Sequence, residues 1–386
     1  TASTDSPFDD PAGFVFGDSG DQNVIKCGSY VGNGSSTGPE INLGWEPQYI
    51  LIKRSSASES WMIFDAMRGM TTQAGNDYDL RADLTNGEND VRDYIDITPT
   101  GFKQVNTQLM MNGNGDTYVY MAIRRSDGYC GKPPELGTGV FAMDTGNSSS
   151  TEAFTSGFPV DYVFYRTINT EFSWFTTARM LQGTYAKLNL TDTFDNSSYT
   201  VFDLMTGFHN YEYGSTTQAW MFKRHAGFTT VAYEGDGVAG RQIAHDMNNS
   251  VGMIWIKNRD STKDWVVGHQ GLNGGTNPWE YHLVLNDTAA ESDNTTKGFN
   301  DTAPTSTHFT LGSHSAVNAG GNSFIAMLFA SVDGISKVGS YSGQSSTITV
   351  TTGFSPRFIF VKNVSASGDW WVFDTLRGWG SGNDQS

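Results

Sequence analysis

One nine-residue pattern in this chain has the residue types of an acid beside a cation. Residues 61–69 read Trp-Met-Ile-Phe-Asp-Ala-Met-Arg-Gly, so the Asp65 carboxylate could act as an acid close to the Arg68 guanidinium. In two further copies of this segment, Ala178 and His269 stand at the position of Asp65. A catalytic acid would not survive these exchanges, whereas an ion pair at a strand end would. We therefore interpret the pattern as structural, with its tryptophan and phenylalanine in the core.

The densest group of carboxylates lies between residues 78 and 96. Glycosidases need two carboxylates flanking the scissile bond, and calcium loops place theirs at fixed intervals, which this segment lacks. A solvated acidic face is the favoured interpretation, and a weak calcium site or a glycosidase pair are the alternatives. The carboxylates in this segment are Asp79, Asp83, Glu88, Asp90, Asp93 and Asp96.

Neither the histidines nor the glycines indicate a reaction centre. His308 and His314 flank one expected strand and turn, and His269 and His282 are 13 residues apart, without the tight spacing of zinc ligands. No phosphate-binding glycine loop or nucleophile elbow occurs. The sequence therefore predicts no catalytic residue, no metal ligand and no cofactor.

A loop at residues 273–282 is the most promising place for sugar contacts. It carries Trp279 and Tyr281, whose rings could stack on a saccharide, and it has no counterpart in the first quarter of the chain. Burial of both rings in a core is the other interpretation and the one that the residue types favour.

The elements that would position these residues belong to an internal repeat. Residues 44–69 and 353–378 align without a gap, residues 253–268 are a third copy and residues 157–175 a fourth, weaker one, and successive copies lie roughly 100 residues apart along the chain. The repeat predicts one equivalent core position per copy for its tryptophan. We expect this structural signature to comprise Trp61, Phe64, Trp174, Trp265, Trp370 and Phe373.

The copies define the expected domains. They are residues 25–135, 136–227 (a divergent copy), 228–334 and 335–386 (a partial copy), preceded at 1–24 by a linker or the end of another unit. Short runs of Tyr, Phe, Val, Ile and Thr separated by Gly, Asn and Ser predict strands. We expect tandem two-sheet β-sandwiches of the jelly-roll or lectin-like type, with at most one short helix per unit, near 79–90 or 285–294.

The charge of the whole chain limits its partners. The formal net charge is −17, which repels nucleic acid, and no apolar run is long enough to span a bilayer. We therefore expect neither nucleic-acid binding nor membrane insertion.

Three segments carry a family resemblance. Residues 26–56, 232–270 and 299–328 are similar to a repeat domain of bacteriophage virion proteins, especially the tail-fibre-like proteins of marine phages. The resemblance covers residues 25–128 and 228–386 well and 136–227 weakly. It implies β-sandwich modules, assembly on the exterior of a virion and contact with a host surface, and it supplies no catalytic residues.

The expected function is therefore structural. The first hypothesis is a tail-fibre or receptor-binding protein that adheres to host polysaccharide, assembled as a homo-oligomer, with a trimer favoured, and with other virion proteins. The alternatives are a capsid-decoration or head-fibre protein and, less favoured, a glycan-degrading tail enzyme. The residue types that a catalytic mechanism would need are exchanged between copies, which argues that the chain is not an enzyme.

Overall fold

The computed structural model describes residues 25–72, 76–124, 136–147, 152–197, 200–210, 214–293 and 298–379. Strands make up 41% of the structure and helices 6%, in several antiparallel sheets, so the expected all-β multi-sheet class is confirmed. The chain divides into two compact units, residues 1–129 and 130–386. The predicted linker at 1–24 lies outside the described residues.

The first unit consists of one six-stranded and one three-stranded sheet. Its elements are β1 (Ile25–Val31), β2 (Glu40–Asn42), β3 (Pro47–Arg54), β4 (Met62–Asp65), β5 (Asp77–Arg81), β6 (Asn89–Arg92), β7 (Ile95–Thr98), β8 (Gly101–Gln104), α1 (Leu109–Asn112) and β9 (Thr117–Arg124). The sheet orders are β1-β9-β3-β4-β5-β6 and β2-β8-β7. Alternate residues of β9 face the core between the sheets, because side chains on a strand alternate between its two faces.

The second unit begins with the same arrangement. Its first strands are β10 (Phe141–Thr145), β11 (Phe154–Thr155), β12 (Tyr162–Thr167), β13 (Phe175–Ala178), β14 (Thr184–Lys187), β15 (Asp195–Asn196), β16 (Thr200–Val201), β17 (Gly207–Asn210) and β18 (Thr217–Phe222). They form the sheets β10-β18-β12-β13-β14-β15 and β11-β17-β16. Short 3₁₀ turns occur at Gly137–Gly139 and Arg179–Leu181.

The same six-strand order follows once more. The elements are β19 (Phe228–Glu234), β20 (Arg241–Ala244), β21 (Val251–Asn258), β22 (Val266–His269), β23 (Tyr281–Val284), β24 (Ser292–Asp293), β25 (His308–Leu311), α2 (Ser315–Asn318) and β26 (Ser323–Ala330), with 3₁₀ turns at Leu272–Gly275 and Pro278–Glu280. They form β19-β26-β21-β22-β23-β24 and the pair β20-β25, and a final hairpin joins β27 (Phe358–Lys362) to β28 (Trp370–Asp374).

The helices are not where the sequence placed them. Segments 79–90 and 285–294 contain strands, whereas the two α-helices described are single turns immediately before β9 and β26. The polar composition of the two expected segments reflects their place in the outermost strands and turns of each sheet, which are partly exposed.

Candidate functional site

Each signature tryptophan begins or immediately precedes the second strand of a hairpin, β4, β13, β22 or β28. In the first three copies, its backbone N–H donates to a side-chain oxygen 15 to 22 residues later in the chain; the acceptors are Asp83, Asn189 and Asn286. These shared bonds align the copies residue by residue. The aligned tryptophans nevertheless differ in burial, because they have different neighbours outside their own sheet.

The expectation that all four tryptophans are core residues is wrong for Trp61, which is 41% exposed, whereas Trp265 is fully buried. Trp174 and Trp370 are half-buried. The reason is strand alternation, since Trp61 faces away from the sandwich core and Phe64, at 0% exposure, faces into it. In the last hairpin Phe373 is half-buried and stacks on Trp371, with ring centroids 6.2 Å apart.

In the second unit the signature tryptophans join one repeat to the next. The Trp265 indole N–H donates to the carbonyl oxygen of Lys187 at 3.0 Å, and the Trp370 indole N–H donates to the carbonyl oxygen of Val284 at 3.0 Å. Lys187 and Val284 occupy equivalent ends of β14 and β23. The repeated tryptophan is therefore an inter-repeat hydrogen-bond donor as well as an apolar side chain.

A lysine recurs eight residues before the tryptophan, at Lys53, Lys257 and Lys362, with Arg166 in the divergent copy. This signature lysine has the same role. The Lys257 ammonium donates to the carbonyl oxygen of Thr191 at 3.0 Å, and Lys362 donates to the equivalent carbonyl of Thr288 at 3.0 Å. Lys257 is fully buried, and this burial lowers its pKa to about 8. The two recurring donors, lysine and tryptophan, thus fasten each repeat to the carbonyls of the one before it.

The last repeat also contacts the second, which closes a ring of three. The Asp374 carboxylate, fully buried, accepts from the Gln218 amide at 3.2 Å and the Trp220 indole at 3.3 Å. Arg377 pairs with Asp374 at 2.7 Å, and its guanidinium lies 5.5 Å from the centre of the Trp220 ring. The outer faces of three sheets thus enclose one shared hydrophobic core.

An open cavity of about 450 Å³ lies in this shared core, which we call the axial cavity. Its apolar wall includes Phe164, Trp255 and Phe360, which occupy the same position in successive repeats, two residues before the signature lysine or arginine. Trp255 and Phe360 lie 5.3 Å apart and Phe360 stacks on Trp370 at 4.8 Å. The full lining is Phe164, Trp174, Leu188, Asn189, Trp255, Leu285, Asn286, Asp287, Thr288, Phe360, Asp369, Trp370 and Val372.

The axial cavity combines aromatic rings with amide, hydroxyl and carboxylate groups. Asp287 and Asp369 are exposed, and the Trp174 indole N–H has no acceptor among the residues that the structure describes. The Arg166 guanidinium lies over the Trp174 ring at 4.9 Å. Flat apolar walls with a few hydrogen-bonding groups are the typical composition of a small-molecule site.

Sequence reasoning did not find this cavity. Its signal was the aromatic residue at the aligned position in three of the four copies, where the first copy has Leu51. That position faces away from its own sandwich, so only the packing between repeats gives it a function.

The loop proposed for sugar contact does not present its tryptophan. Trp279 is 5% exposed and its ring makes an edge contact with Phe299 at 5.4 Å, inside the core of the third repeat. Tyr281 is half-buried and packs against the shared core. The glycan interpretation of Trp279 is therefore wrong, because its indole has no free face.

The acidic stretch is less solvated than expected. Asp79 is 1% exposed, and the neighbouring Asp77, which is fully buried, accepts three backbone N–H groups from Thr71, Tyr94 and Ile95. Burial raises the pKa of Asp77 to about 7. Within the described ranges, no three His, Cys, Asp or Glu side chains come together as a metal-binding group.

The acid-and-cation pattern forms a strand-end pair. Asp65 and Arg68 lie 2.6 Å apart, and the Asp65 carboxylate also accepts the backbone N–H groups of Met67 and Arg68. At the equivalent position the His269 imidazole accepts the backbone N–H of Gly271 at 2.9 Å. Aspartate and histidine thus cap the same turn, which explains their exchange between copies.

The comparisons with known proteins identify a family, and the description of that family names no function. No curated protein and no solved structure matches the chain, and across the described ranges no helix has the length and apolarity to cross a membrane. The profile of one family matches residues 19–126 and 209–384, well over half of the chain. The chain belongs to the family described as Domain of unknown function (DUF7483).

Proposed function

We propose that the chain is an adhesion protein of the virion exterior, of the tail-fibre or receptor-binding type, and that it binds a saccharide in the axial cavity. The observation that carries this proposal is the joint lining of one cavity by aromatic rings from three repeats. The cavity volume of about 450 Å³ is within the ~300–1,000 Å³ of small-molecule sites.

The lining suits a sugar better than a purely apolar ligand. One face of a pyranose ring carries C–H groups that pack on an aromatic ring, and its hydroxyls need hydrogen-bond partners at the edges. Trp174 and Trp370 supply ring surface, and Asn189 and Thr288 lie beside them with amide and hydroxyl groups. Weak binding at one such cavity becomes useful when many copies act together on one particle.

The binding test is the substitution Trp174→Ala, because this indole lines the cavity and is half-buried. We expect roughly 2- to 12-fold weaker binding to the best saccharide of a bacterial glycan array, since aromatic contacts are worth about 0.5–1.5 kcal/mol. The matched control is Phe172→Ala, an aromatic side chain 46% exposed outside the cavity lining. Equal binding by both variants and the parent chain would remove the cavity from the proposal.

Glycan cleavage is the second candidate, because two carboxylates, Asp287 and Asp369, line the same cavity. Both are exposed, whereas the general acid of a glycosidase is normally buried against apolar groups. Chromatography of a bound polysaccharide before and after long incubation separates the two functions. Adhesion predicts an unchanged chain length, and shortening that Asp287→Asn abolishes would establish cleavage instead.

Location on the particle is a separate proposal. Antibody labelling of intact virions in the electron microscope should place the protein on the tail. Labelling of the head, together with normal adsorption of particles that lack the protein, would favour capsid decoration or a head fibre.

A further inference from the structure

The six-stranded sheet of the first unit has the same outer face that encloses the shared core of the second unit. We call this surface of β1, β3, β4 and β9 the axial face of the first repeat. Strand register defines its correspondence with the other copies: Leu51 pairs with Met121 as Phe164 pairs with Trp220 and as Trp255 pairs with Met327.

Equivalent positions on these faces differ sharply in exposure. Ile25 is 52% exposed and Val119 is 39% exposed, whereas their third-repeat counterparts Phe228 and Ile325 are 2% and 1% exposed. Trp61, 41% exposed, contrasts in the same way with its buried counterpart Trp265. The apolar side chains of this face are thus exposed on the first repeat, whereas their counterparts within the second unit are buried.

The first repeat also has both the donors and the acceptor carbonyls that join repeats within the second unit. Its donors are Lys53 and Trp61, and among the described residues the Trp61 indole N–H has no acceptor. The backbone N–H of Ala82 donates to the Trp61 carbonyl as Leu285 does to Trp265, which aligns the carbonyls of Arg81 and Thr85 with those of Val284 and Thr288. A surface with matching donors and acceptors at different places is suited to a head-to-tail ring.

The geometry of the second unit determines how many copies such a ring holds. There the contact from each repeat to the next returns, through Asp374, to the starting repeat after three steps. The remaining charges of the first axial face are already paired, since the Asp65 carboxylate holds Arg68 at 2.6 Å. Burying this face therefore leaves that ion pair intact.

The first repeat of another copy of the chain fits this face, because it presents the same donors and acceptors that join repeats within the second unit. We propose that the first repeats of three copies of this chain assemble through their axial faces, with Trp61 and Lys53 of each copy donating to the Arg81 and Thr85 carbonyls of the next. The three Leu51 side chains then meet at the axis, as Phe164, Trp255 and Phe360 do within one chain. This deepens the proposed fibre function, on which it rests, and it takes its threefold stoichiometry from the ring of three repeats in the second unit.

The test is the mass of the full chain in solution, measured by light scattering and sedimentation with no host component present. The parent chain should have three times the mass of 42.1 kDa. Leu51→Asp, which brings three carboxylates to the axis, should give a monomer, and so should Trp61→Glu at a side chain exposed enough to leave the fold intact. Leu109→Asp, at a leucine that is 55% exposed on α1, is the matched control and should remain a trimer.

Cys27 provides an independent measurement at the same interface. Its thiol is exposed, and the equivalent residue of the third repeat, Thr230, is 1% exposed. In a Cys130→Ser background, the thiol should react at least 10-fold more slowly in the parent trimer than in Leu51→Asp. A monomeric parent chain, or a trimer unchanged by Leu51→Asp and Trp61→Glu, overturns the interface and leaves saccharide binding standing; intact trimers that bind no saccharide overturn only the adhesion function.

Discussion

At the level of single side chains, the four signature tryptophans share one place in the sequence pattern and have different neighbours. Trp265 is enclosed by two repeats and donates its indole N–H across their boundary, whereas Trp61 has the same backbone hydrogen bonding and an exposed ring. The recurring tryptophan therefore binds a neighbouring repeat, and its ring is buried only where such a repeat packs against it.

Replacing Trp265 with alanine should lower the free energy of unfolding of the second unit by about 3–5 kcal/mol. The change leaves a large cavity in the shared core and removes the donor to the Lys187 carbonyl. Trp371→Ala is the control in the same unit, because Trp371 is 47% exposed, and it should cost about 1 kcal/mol or less. Urea unfolding measures both, and similar losses for the two variants would contradict the assigned environments.

Single positions also show what the sequence could and could not predict. Alternation along 61–65 puts Trp61 and Phe64 on opposite faces of the strand, so the sequence could have separated them, although both were expected in the core. The partner of the outer face was not, because it comes from a repeat roughly 100 residues away and depends on how whole sheets pack. The burial of Trp279 could not be predicted either, because it depends on its loop folding back onto Phe299.

At the level of elements, a buried asparagine ends each α-helical turn and ties it to the segment that follows the first strand of its repeat. The Asn318 amide donates to the Asp236 carboxylate and to the carbonyls of Val238 and Gly312, and its oxygen accepts the backbone N–H of Asp236. Asn112 makes the equivalent bonds in the first unit. The Gly/Asn-rich segments 112–115 and 318–322 were visible as turns in the sequence, but this bonding was not.

Asn318→Ala should destabilise the second unit by about 2–3 kcal/mol, because several buried backbone groups lose their partner at once. Asn112→Ala should have a similar effect on the first unit. The comparison variant is Asn363→Ala, whose exposed side-chain oxygen accepts the Ser365 N–H and no other donor in the described part of the chain, and its effect should stay within about 0.5 kcal/mol. Calorimetry of the three variants would refute the equivalence if Asn112→Ala and Asn318→Ala acted on the same transition.

At the level of the whole molecule, the two units bury different kinds of titrating group, so burial lowers pKa values in one unit and raises them in the other. All seven histidines lie in residues 130–386. Burial lowers the pKa values of His225, His245 and His269 to about 4, and each ring accepts a backbone N–H that requires the neutral form. In the first unit burial acts on carboxylates instead, and it raises the pKa of Asp77 to about 7 and that of Asp93 to about 8.

These shifts predict opposite pH dependence for the two units between pH 5 and 7.5. A histidine whose folded pKa lies below its unfolded pKa of about 6.5 is protonated more readily in the unfolded chain, so the second unit loses stability as the pH falls. A carboxyl whose folded pKa lies above about 4 keeps a proton that the unfolded chain releases, so the first unit loses stability as the pH rises, by at most about 1.4 kcal/mol per pH unit for each such carboxyl until its folded pKa is reached. Differential scanning calorimetry at pH 5.5 and 7.5 should therefore show one transition moving up by several degrees and the other moving down. Phe64→Ala, which empties part of the first core, identifies the transition of the first unit. Two transitions that move together would show that burial does not control these groups as assigned.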